Sequence, residues 1–555
     1  MFAPRNVETS FEVAHELADF SGLSPFDIVV FRPQRLIIHG LLIRVTTTLS
    51  VPDGPDYEEL GINLRSMVRR IFEGYVEPEM DALTGLYETI REQARAIIKE
   101  QLAQLRHSPK QPAPPPSGLF QRLGALFSEP KSGPSLSLDQ RIAQLQNHLA
   151  VQDESLELVC GQSLLTVVNS IIGHRGNLVG DDDTIVQLAT GMVLNDWASL
   201  RLGEAVTPLF EKGAQQEGYR ILPSQDKPFI MNVKGASASG KSTIRPKQRQ
   251  LAERLGIAWE DFALVSPDYW RKYLLEYETL GEHKKYGAML TGHELAIIDR
   301  KLDRQMARRA EAGNIPHLLI DRFRFDSFNF GDDQSSVLLT RFGDTVFMFF
   351  MITPPEATVE RAYQRGLTTG RYKAVDDLLD HNIEAYTGMP ALFFSWASSS
   401  KRVHYEFLDN SVPHGESPRT VAYGWNGELN ILDVSKLLDI DRFTKIDVDA
   451  QSPDQIYLDG AQDATLNTAF LEQCAESVPK IRFADQKTGR IFGVLEQGTW
   501  VWRDTENVDL EQVHADTKAG LEALGWSEGS SDETQPVELF LNAESSDLKT
   551  LGEWG

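Results

Sequence analysis

The chain has 555 residues, 41% hydrophobic and 24% charged, an ordinary globular composition with length for about three to four domains. Its formal net charge of −25 repels nucleic-acid phosphates overall and disfavours generic DNA or RNA binding, though not a local basic patch. The two cysteines, Cys160 and Cys474, make neither a disulfide framework nor a zinc-site spacing, and they fit a reducing, cytoplasmic compartment.

The N-terminal stretch MFAPRNVETSFEVAHELADF has no basic region leading into an apolar run, so no cleavable signal is expected. No stretch of about 18 apolar residues occurs, so no membrane span is expected either. Residues 1–106 read as a small α/β domain. FDIVVF, RLIIHG and LLIRVTTTLSV have strand character, and helical patterns follow at 57–75 and 78–106. Residues 107–136 are a linker too rich in proline for helix or sheet, interrupted by the amphipathic piece LFQRLGALF. Residues 137–224 are helical, with apolar residues at helical spacing in LDQRIAQLQNHL and SLLTVVNSIIG.

Residues 225–445 alternate strands and helices. The strands are PFIMNVK (228–234), FALVS (262–266), PHLLID (316–321), TVFMFFMIT (345–353) and VHYEFLD (403–409). Five strands separated by helices predict a doubly wound parallel five-stranded sheet, with its ligand crevice at the carboxyl ends. Residues 446–555 form a small α+β region. It holds a meander in IRFADQKTGRIFGVLEQGTWVWRD with turns at 487–489 and 497–498, a helix near 509–524 and an acidic tail.

The chemistry concentrates after the first of the five strands. GASASGKS, residues 235–242, matches G-x-x-x-x-G-K-[ST] between a buried-strand pattern and a helical one, TIRPKQRQLAERLG. Glycines let the backbone curl so that its N–H groups face phosphate oxygens, and the following helix presents its positive end to the same anion. Gly235, Ala236, Ser237, Ala238, Ser239, Gly240, Lys241, Ser242 and Thr243 would wrap a nucleotide. Lys241 would reach the β- and γ-phosphates, and the Ser242 hydroxyl would ligate Mg²⁺.

Two acids stand at strand ends. Asp321 closes an apolar strand in the manner of a metal-site acid. Asp268, in SPDYW, is placed for the hydroxyl of a substrate. The segment ERAYQRGLTTGRYK carries Arg361, Arg365, Arg371 and Lys373, with Gly366 and Gly370 as hinges, and reads as a lid that closes on the transferring phosphate. Arg371, beyond the hinge, is preferred to Arg361. Lys234, Arg245, Lys247, Arg249 and Arg254 cluster in sequence around the loop and keep an RNA 5′-end acceptor open.

The loop, SPDYWRKY, the stretch KKYGAMLTGHELAIIDRKLDRQMARRA read as one long helix, a strand ending in an acid, RGLTTGR and FLDNS follow one another in an order that resembles the zeta-toxin-like family of P-loop kinases. The resemblance covers roughly residues 225–440. It implies an adenylate-kinase-like P-loop kinase core, ATP and Mg²⁺ as cofactors, and phosphorylation of a hydroxyl on a small molecule, a nucleotide sugar such as UDP-N-acetylglucosamine in the best-known members. By carry-over Lys241 binds phosphate, Asp268 is the catalytic acid/base, and Arg365 and Arg371 are the lid arginines. Thr291 and Glu294 face the substrate together with Asp321, and Asp409 and Asn410 lie near the adenine. Toxin members carry Glu-Gly-Thr after the third strand, where this chain has Asp321-Arg322-Phe323.

Three functions stand at this point: a small-molecule kinase with a toxin or effector role, a nucleoside or RNA 5′-end kinase on the same core, and a non-catalytic ATP-gated switch. The expected partners are a small-molecule acceptor and a regulatory partner, intramolecular or separate. The helical segment preceding the first of the five strands is the intramolecular candidate.

Overall fold

The computed structural model describes residues 1–54, 57–106, 136–321, 339–369, 372–413, 415–527, 540–541 and 550–554. The linker piece LFQRLGALF and most of the acidic tail lie outside them. The chain divides into two units, Met1–Leu42 with Val68–Gly218, and Ile43–Met67 with Tyr219–Gly555. Helices Pro33–Thr48 and Tyr57–Ile71 contribute residues to both.

The first unit is helical among its described residues, which corrects the expected N-terminal strands. FDIVVF opens as the short helix Pro25–Ile28, and RLIIHGLLIRV lies inside the single helix Pro33–Thr48. A continuous apolar run carries no period that separates a buried strand from a buried helix. Here Leu36, Ile37, His39, Leu41, Leu42 and Val45 are all buried, so almost every face of the helix is covered. Pro33 occupies its first position, where a missing N–H costs nothing. Among the described residues of this stretch, extended pairing survives as isolated bridges, Val7 with Phe31 and, in the second unit, Leu49 with Ile221.

The expected helical region holds Leu138–Leu149, Leu156–Arg175, Asp182–Val193 and Ser199–Gln216. Ser137 and Gln140 form a reciprocal cap at the first of these, which satisfies two orphan N–H groups. Leu156–Arg175 is, among the described residues, the one helix long and apolar enough to cross a membrane. Its Cys160, Leu164, Val167, Val168 and Ile171 are fully buried in the core of the unit beside Ala94, Ile98, Ile185 and Val193. Both cysteines are free and buried, and burial pushes the Cys160 thiol up to about 12.

The second unit is built on one sheet. Its strands are β1 (Phe229–Lys234), β2 (Phe262–Val265), β3 (His317–Asp321), β4 (Thr345–Ile352), β5 (Arg402–Asp409), β6 (Arg419–Trp425), β7 (Glu428–Ile431), β8 (Lys480–Ala484), β9 (Ile491–Glu496) and β10 (Thr499–Arg503). The order is β10-β9-β8-β7-β6-β5-β4-β1-β3-β2. The five expected strands lie side by side and parallel at one end, with β1 between β3 and β4. Every residue of β1 is buried, as a parallel strand covered on both faces requires.

The expectation of a sheet that stops at five strands is corrected to ten. β6 and β7 add antiparallel after β5. The C-terminal meander β8–β10, read as belonging to a separate region, joins the same sheet through parallel pairing of β7 with β8. That join links residues about fifty positions apart. Local patterning carries no information about it.

Residues 43–67 are stitched into this second unit. The Asp53 carboxylate accepts from Arg249 Nη2 at 2.5 Å and Trp259 Nε1 at 3.1 Å. Thr46 accepts from Trp270 Nε1 at 3.1 Å, and Lys272 pairs with Glu58 at 2.9 Å. The Asp53 side chain is 8% exposed, and removing it strands the N–H of the buried Trp259, while Arg249, 41% exposed, can turn to water. Asp53→Ala is expected to cost about 2 kcal/mol in chemical denaturation of the full chain, whereas Glu58→Ala, whose ion pair is more exposed, is expected to cost under about 1 kcal/mol.

A buried carboxylate on β5 fastens the C-terminal segment. Glu406 accepts from Leu551 N at 2.7 Å, Gly552 N at 2.9 Å and Thr420 Oγ1 at 2.8 Å. Burial outweighs these bonds and raises its pKa from 4.5 to about 7. The folded state then binds more protons than the unfolded chain between those values, so stability falls as pH rises through that window. Urea denaturation is expected to show this loss, on the order of 3 kcal/mol, between about pH 4.5 and 7, and to lose that component of the slope in Glu406→Gln.

Candidate functional site

β1 ends at Lys234 and the chain turns at once into Gly235–Ser242, followed by a 3₁₀ turn, Lys241–Ile244, and helix Arg245–Arg254. The strand, loop and helix that the motif needs are present in that order. Two glycines are required by the geometry. A Cβ on Gly235 would lie 2.8 Å from Met351 Cβ, and Gly240 has φ of 96° with Asn410 Nδ2 2.1 Å from where a Cβ would sit. Ala238 also takes a positive φ, 62°, a costly conformation for a side-chain-bearing residue and a mark of a loop held from outside.

What holds it is the Ser239 carbonyl. It accepts from Asn410 Nδ2 at 2.7 Å, Thr353 Oγ1 at 3.0 Å and Arg361 Nη1 at 3.5 Å. These donors come from the end of β5, the end of β4 and helix Pro355–Thr369. Arg361 Nη2 also donates to the Asn410 carbonyl at 2.7 Å, and the Tyr386 hydroxyl brackets the backbone of Thr353. Asp409 turns aside to Ser411.

Inside the loop, Lys241 Nζ folds back onto the carbonyls of Gly235 at 2.9 Å and Ala236 at 2.7 Å. Ser242 Oγ donates to Asp321 Oδ2 at 3.1 Å. The β1–β3 register pairs Val233 with Asp321 and so delivers that acid to the loop. The described residues offer no hydrogen-bond partner to the backbone N–H groups of Ser237, Ala238, Gly240 and Ser242. The buried Ser239 hydroxyl is unpartnered among them too. Thr243 Oγ1 turns back to Gly240 O at 2.7 Å.

This donor set fits a polyphosphate: unused N–H groups, an ammonium and a glycine cradle that a Cβ would fill. It also fits Mg²⁺, which takes a hydroxyl and a carboxylate and fills its remaining positions with phosphate oxygens and water. Ser242 and Asp321 are the residues that would hold it. Among the described residues no cluster of three or more His, Cys, Asp or Glu could hold a metal on its own.

The acceptor-side candidates are linked to one another. Asp268 accepts from Arg271 Nε at 2.9 Å, and Arg271 Nη1 reaches Thr291 Oγ1 at 2.9 Å. Thr291 is the cap of helix Gly292–Glu311, and Glu294 in its first turn is buried. The long helix thus starts later than expected. Its first residues belong to 3₁₀ turns that lie on either side of a break at Gly281 within Tyr277–Tyr286, and to the short helix Gly287–Leu290, where Gly287 packs against the Tyr277 ring.

The lid reading is corrected in part. Gly366 lies inside the continuous helix Pro355–Thr369 and is no hinge. One glycine costs about 1 kcal/mol of helix propensity, too little to break a helix anchored through Arg361. Arg361, ranked below Arg371, bonds to the Ser239 carbonyl of the loop, and Arg365 lies one turn further along the same helix. Gly370, Arg371, Arg322 and Phe323 lie outside the described residues.

Sequence reading missed Thr353, Arg271 and Tyr386. Each lies inside an ordinary strand or helix pattern, and only its partner marks it. It also overcounted the basic patch. Arg249 is bonded to Asp53, Lys247 to Glu553, Arg254 to the Thr550 carbonyl and Arg245 to the Tyr269 hydroxyl, while Lys234 is fully buried. A cavity of about 730 Å³ lined by Lys247, Gln250, Glu253, Arg254 and 550–554 does not include the loop.

Comparison with models of known protein families, with characterised proteins and with solved structures finds no match.

The loop geometry has a direct test. Gly256 also has a positive φ, 71°, but open space where a Cβ would sit. Gly256→Ala is expected to cost about 1 kcal/mol from backbone conformation alone. Gly240→Ala adds the collision with Asn410 and is expected to cost about twice that in urea denaturation, with faster amide exchange at Ser239 and Thr243, whose N–H groups are bonded within the loop.

Proposed function

We propose that this protein is an ATP- and Mg²⁺-dependent kinase that phosphorylates a hydroxyl of a small molecule. The observation that carries the reading is the convergence at the end of β1: Lys241 folded over the loop carbonyls, with Ser242 bonded to Asp321 3.1 Å away. A lysine held on neutral carbonyls can exchange one of them for an ionised phosphate oxygen, a stronger acceptor. The order of motifs that resembles the zeta-toxin-like kinases supports the same reading, and a nucleotide sugar is the first acceptor class to try.

Bound ATP supplies the phosphoryl group, and Mg²⁺ held by Ser242 and Asp321 supplies charge neutralisation. The chain's own residues do the rest. The loop N–H groups and Lys241 orient the phosphates. Arg361 fixes the loop through Ser239, and Arg365 on the same helix adds positive charge to that face. Asp268, positioned by Arg271, accepts the proton of the attacking hydroxyl, and Thr291 sets the Arg271 guanidinium. The internal pairing of Arg245, Lys247, Arg249 and Arg254 favours a small acceptor over an RNA end, which would need those cations in an open groove.

The test is transfer of label from γ-labelled ATP to a low-molecular-weight product in a small-molecule extract. Wild type is expected to form one labelled product and Lys241→Ala none. Asp268→Asn is expected to lower the rate by about 10²–10⁴ while binding ATP as wild type does. ATP binding with no transfer to any metabolite would overturn the kinase reading in favour of a nucleotide-gated switch.

A further inference from the structure

The donors that hold the loop must themselves be held, and one of them depends on a side chain that the mechanism above does not use. β4 stops at Ile352, where Asn410 N donates to the Ile352 carbonyl at 2.8 Å. Pro354 and Pro355 follow shortly after. They bring no N–H groups, and they keep Thr353 extended. Thr353 is fully buried just past the end of the strand. Its N–H and C=O would cost free energy there without partners.

One hydroxyl serves both. Tyr386 Oη accepts from Thr353 N at 2.7 Å and donates to Thr353 O at 2.8 Å. Tyr386 lies on helix Val375–Ala397, fully buried, with its ring edge-on to Phe443 at 5.1 Å. Burial holds its pKa well above the ordinary value of 10.0, so the hydroxyl keeps its proton. Thr353, held in this way, donates from Oγ1 to the Ser239 carbonyl 3.0 Å away. One turn earlier on helix Val375–Ala397, Asn382 donates at 3.0 Å to the Oγ1 of Thr358, which lies three residues before Arg361. Two of the three donors to Ser239 therefore trace back to one face of one helix.

The geometry points to Tyr386 as a positioning residue for the nucleotide: its hydroxyl fixes Thr353, and Thr353 fixes the Ser239 peptide of the loop. The role rests on the nucleotide reading above, since it is the phosphates that need the loop N–H groups at a set spacing. Tyr386 acts through Thr353 and not by touching them.

Tyr386→Phe removes the hydroxyl and keeps the ring. Tyr405→Phe is its control. Tyr405 is 1% exposed in the same core, and its hydroxyl donates to the carbonyls of Trp425 at 2.7 Å and Glu428 at 2.5 Å, neither of them in the loop. A merely structural role predicts the same behaviour from both variants. In calorimetric titration of the full chain with ATP, Tyr386→Phe is expected to bind about tenfold more weakly and Tyr405→Phe to stay within about twofold of wild type. Thr353→Val, which deletes the bond to Ser239, is expected to match Tyr386→Phe, and the double variant to lose little more than either, because both act through one contact. In ligand-free protein, amide exchange at Ser239 and Thr243 is expected to quicken in Tyr386→Phe and not in Tyr405→Phe. Wild-type ATP affinity in Tyr386→Phe, or an equal loss in Tyr405→Phe, overturns the positioning role and leaves the nucleotide site standing. Losses that multiply in the double variant overturn the path through Thr353. Failure of the wild type to bind ATP overturns both readings. Should Tyr386→Phe not fold, as judged by thermal unfolding, wild-type ATP affinity in Thr353→Val overturns the role.

Discussion

The carbonyl oxygen of Ser239 is the point on which the candidate site depends. It receives donors from the end of β4, the end of β5 and helix Pro355–Thr369, so three separate elements fix one peptide of the loop. A loop with a positive φ at Ala238 and Gly240 does not hold its shape by local preference. It holds because the parallel sheet brings Thr353 and Asn410 to the same end as β1, and because Arg361 spans from its helix to the Ser239 and Asn410 carbonyls. N–H groups without a partner among the described residues are then left in the loop, which an anion can use.

The net charge of −25 and the cationic site are compatible because charge acts locally here. Arg245, Lys247, Arg249 and Arg254, dense in sequence, are mostly spent on structure, fastening helix Arg245–Arg254 to residue 53 on one hand and to the C-terminal segment on the other. Lys241 within the loop and Arg361 on helix Pro355–Thr369 are instead bonded to loop carbonyls.

The sheet carries that arrangement well beyond the parallel strands. β6 to β10 extend it, and Glu406, in the middle of β5, ties the chain end back onto the same strand that supplies Asn410. At the opposite side of the unit, residues 43–67 meet helix Arg245–Arg254, Trp259 and the Asp268 segment through Asp53, Thr46, Glu58 and Arg65. The segment that carries Asp268 is thereby placed by residues more than two hundred positions earlier in the chain.

By itself the sequence determined the phosphate-loop motif, its strand and helix context, the five parallel strands, the acid that closes β3, and the meander with its turns. All are local: strand patterns of buried length, glycines at fixed offsets, and a lysine and serine at the loop's end. The tertiary structure alone decided the rest. The apolar run 35–45 became a helix because burial on nearly every face erases the period that would tell helix from strand. β7 met β8 across an intervening helical stretch, and Arg361 reached the loop from inside a continuous helix, because pairing and side-chain reach are set by how elements pack.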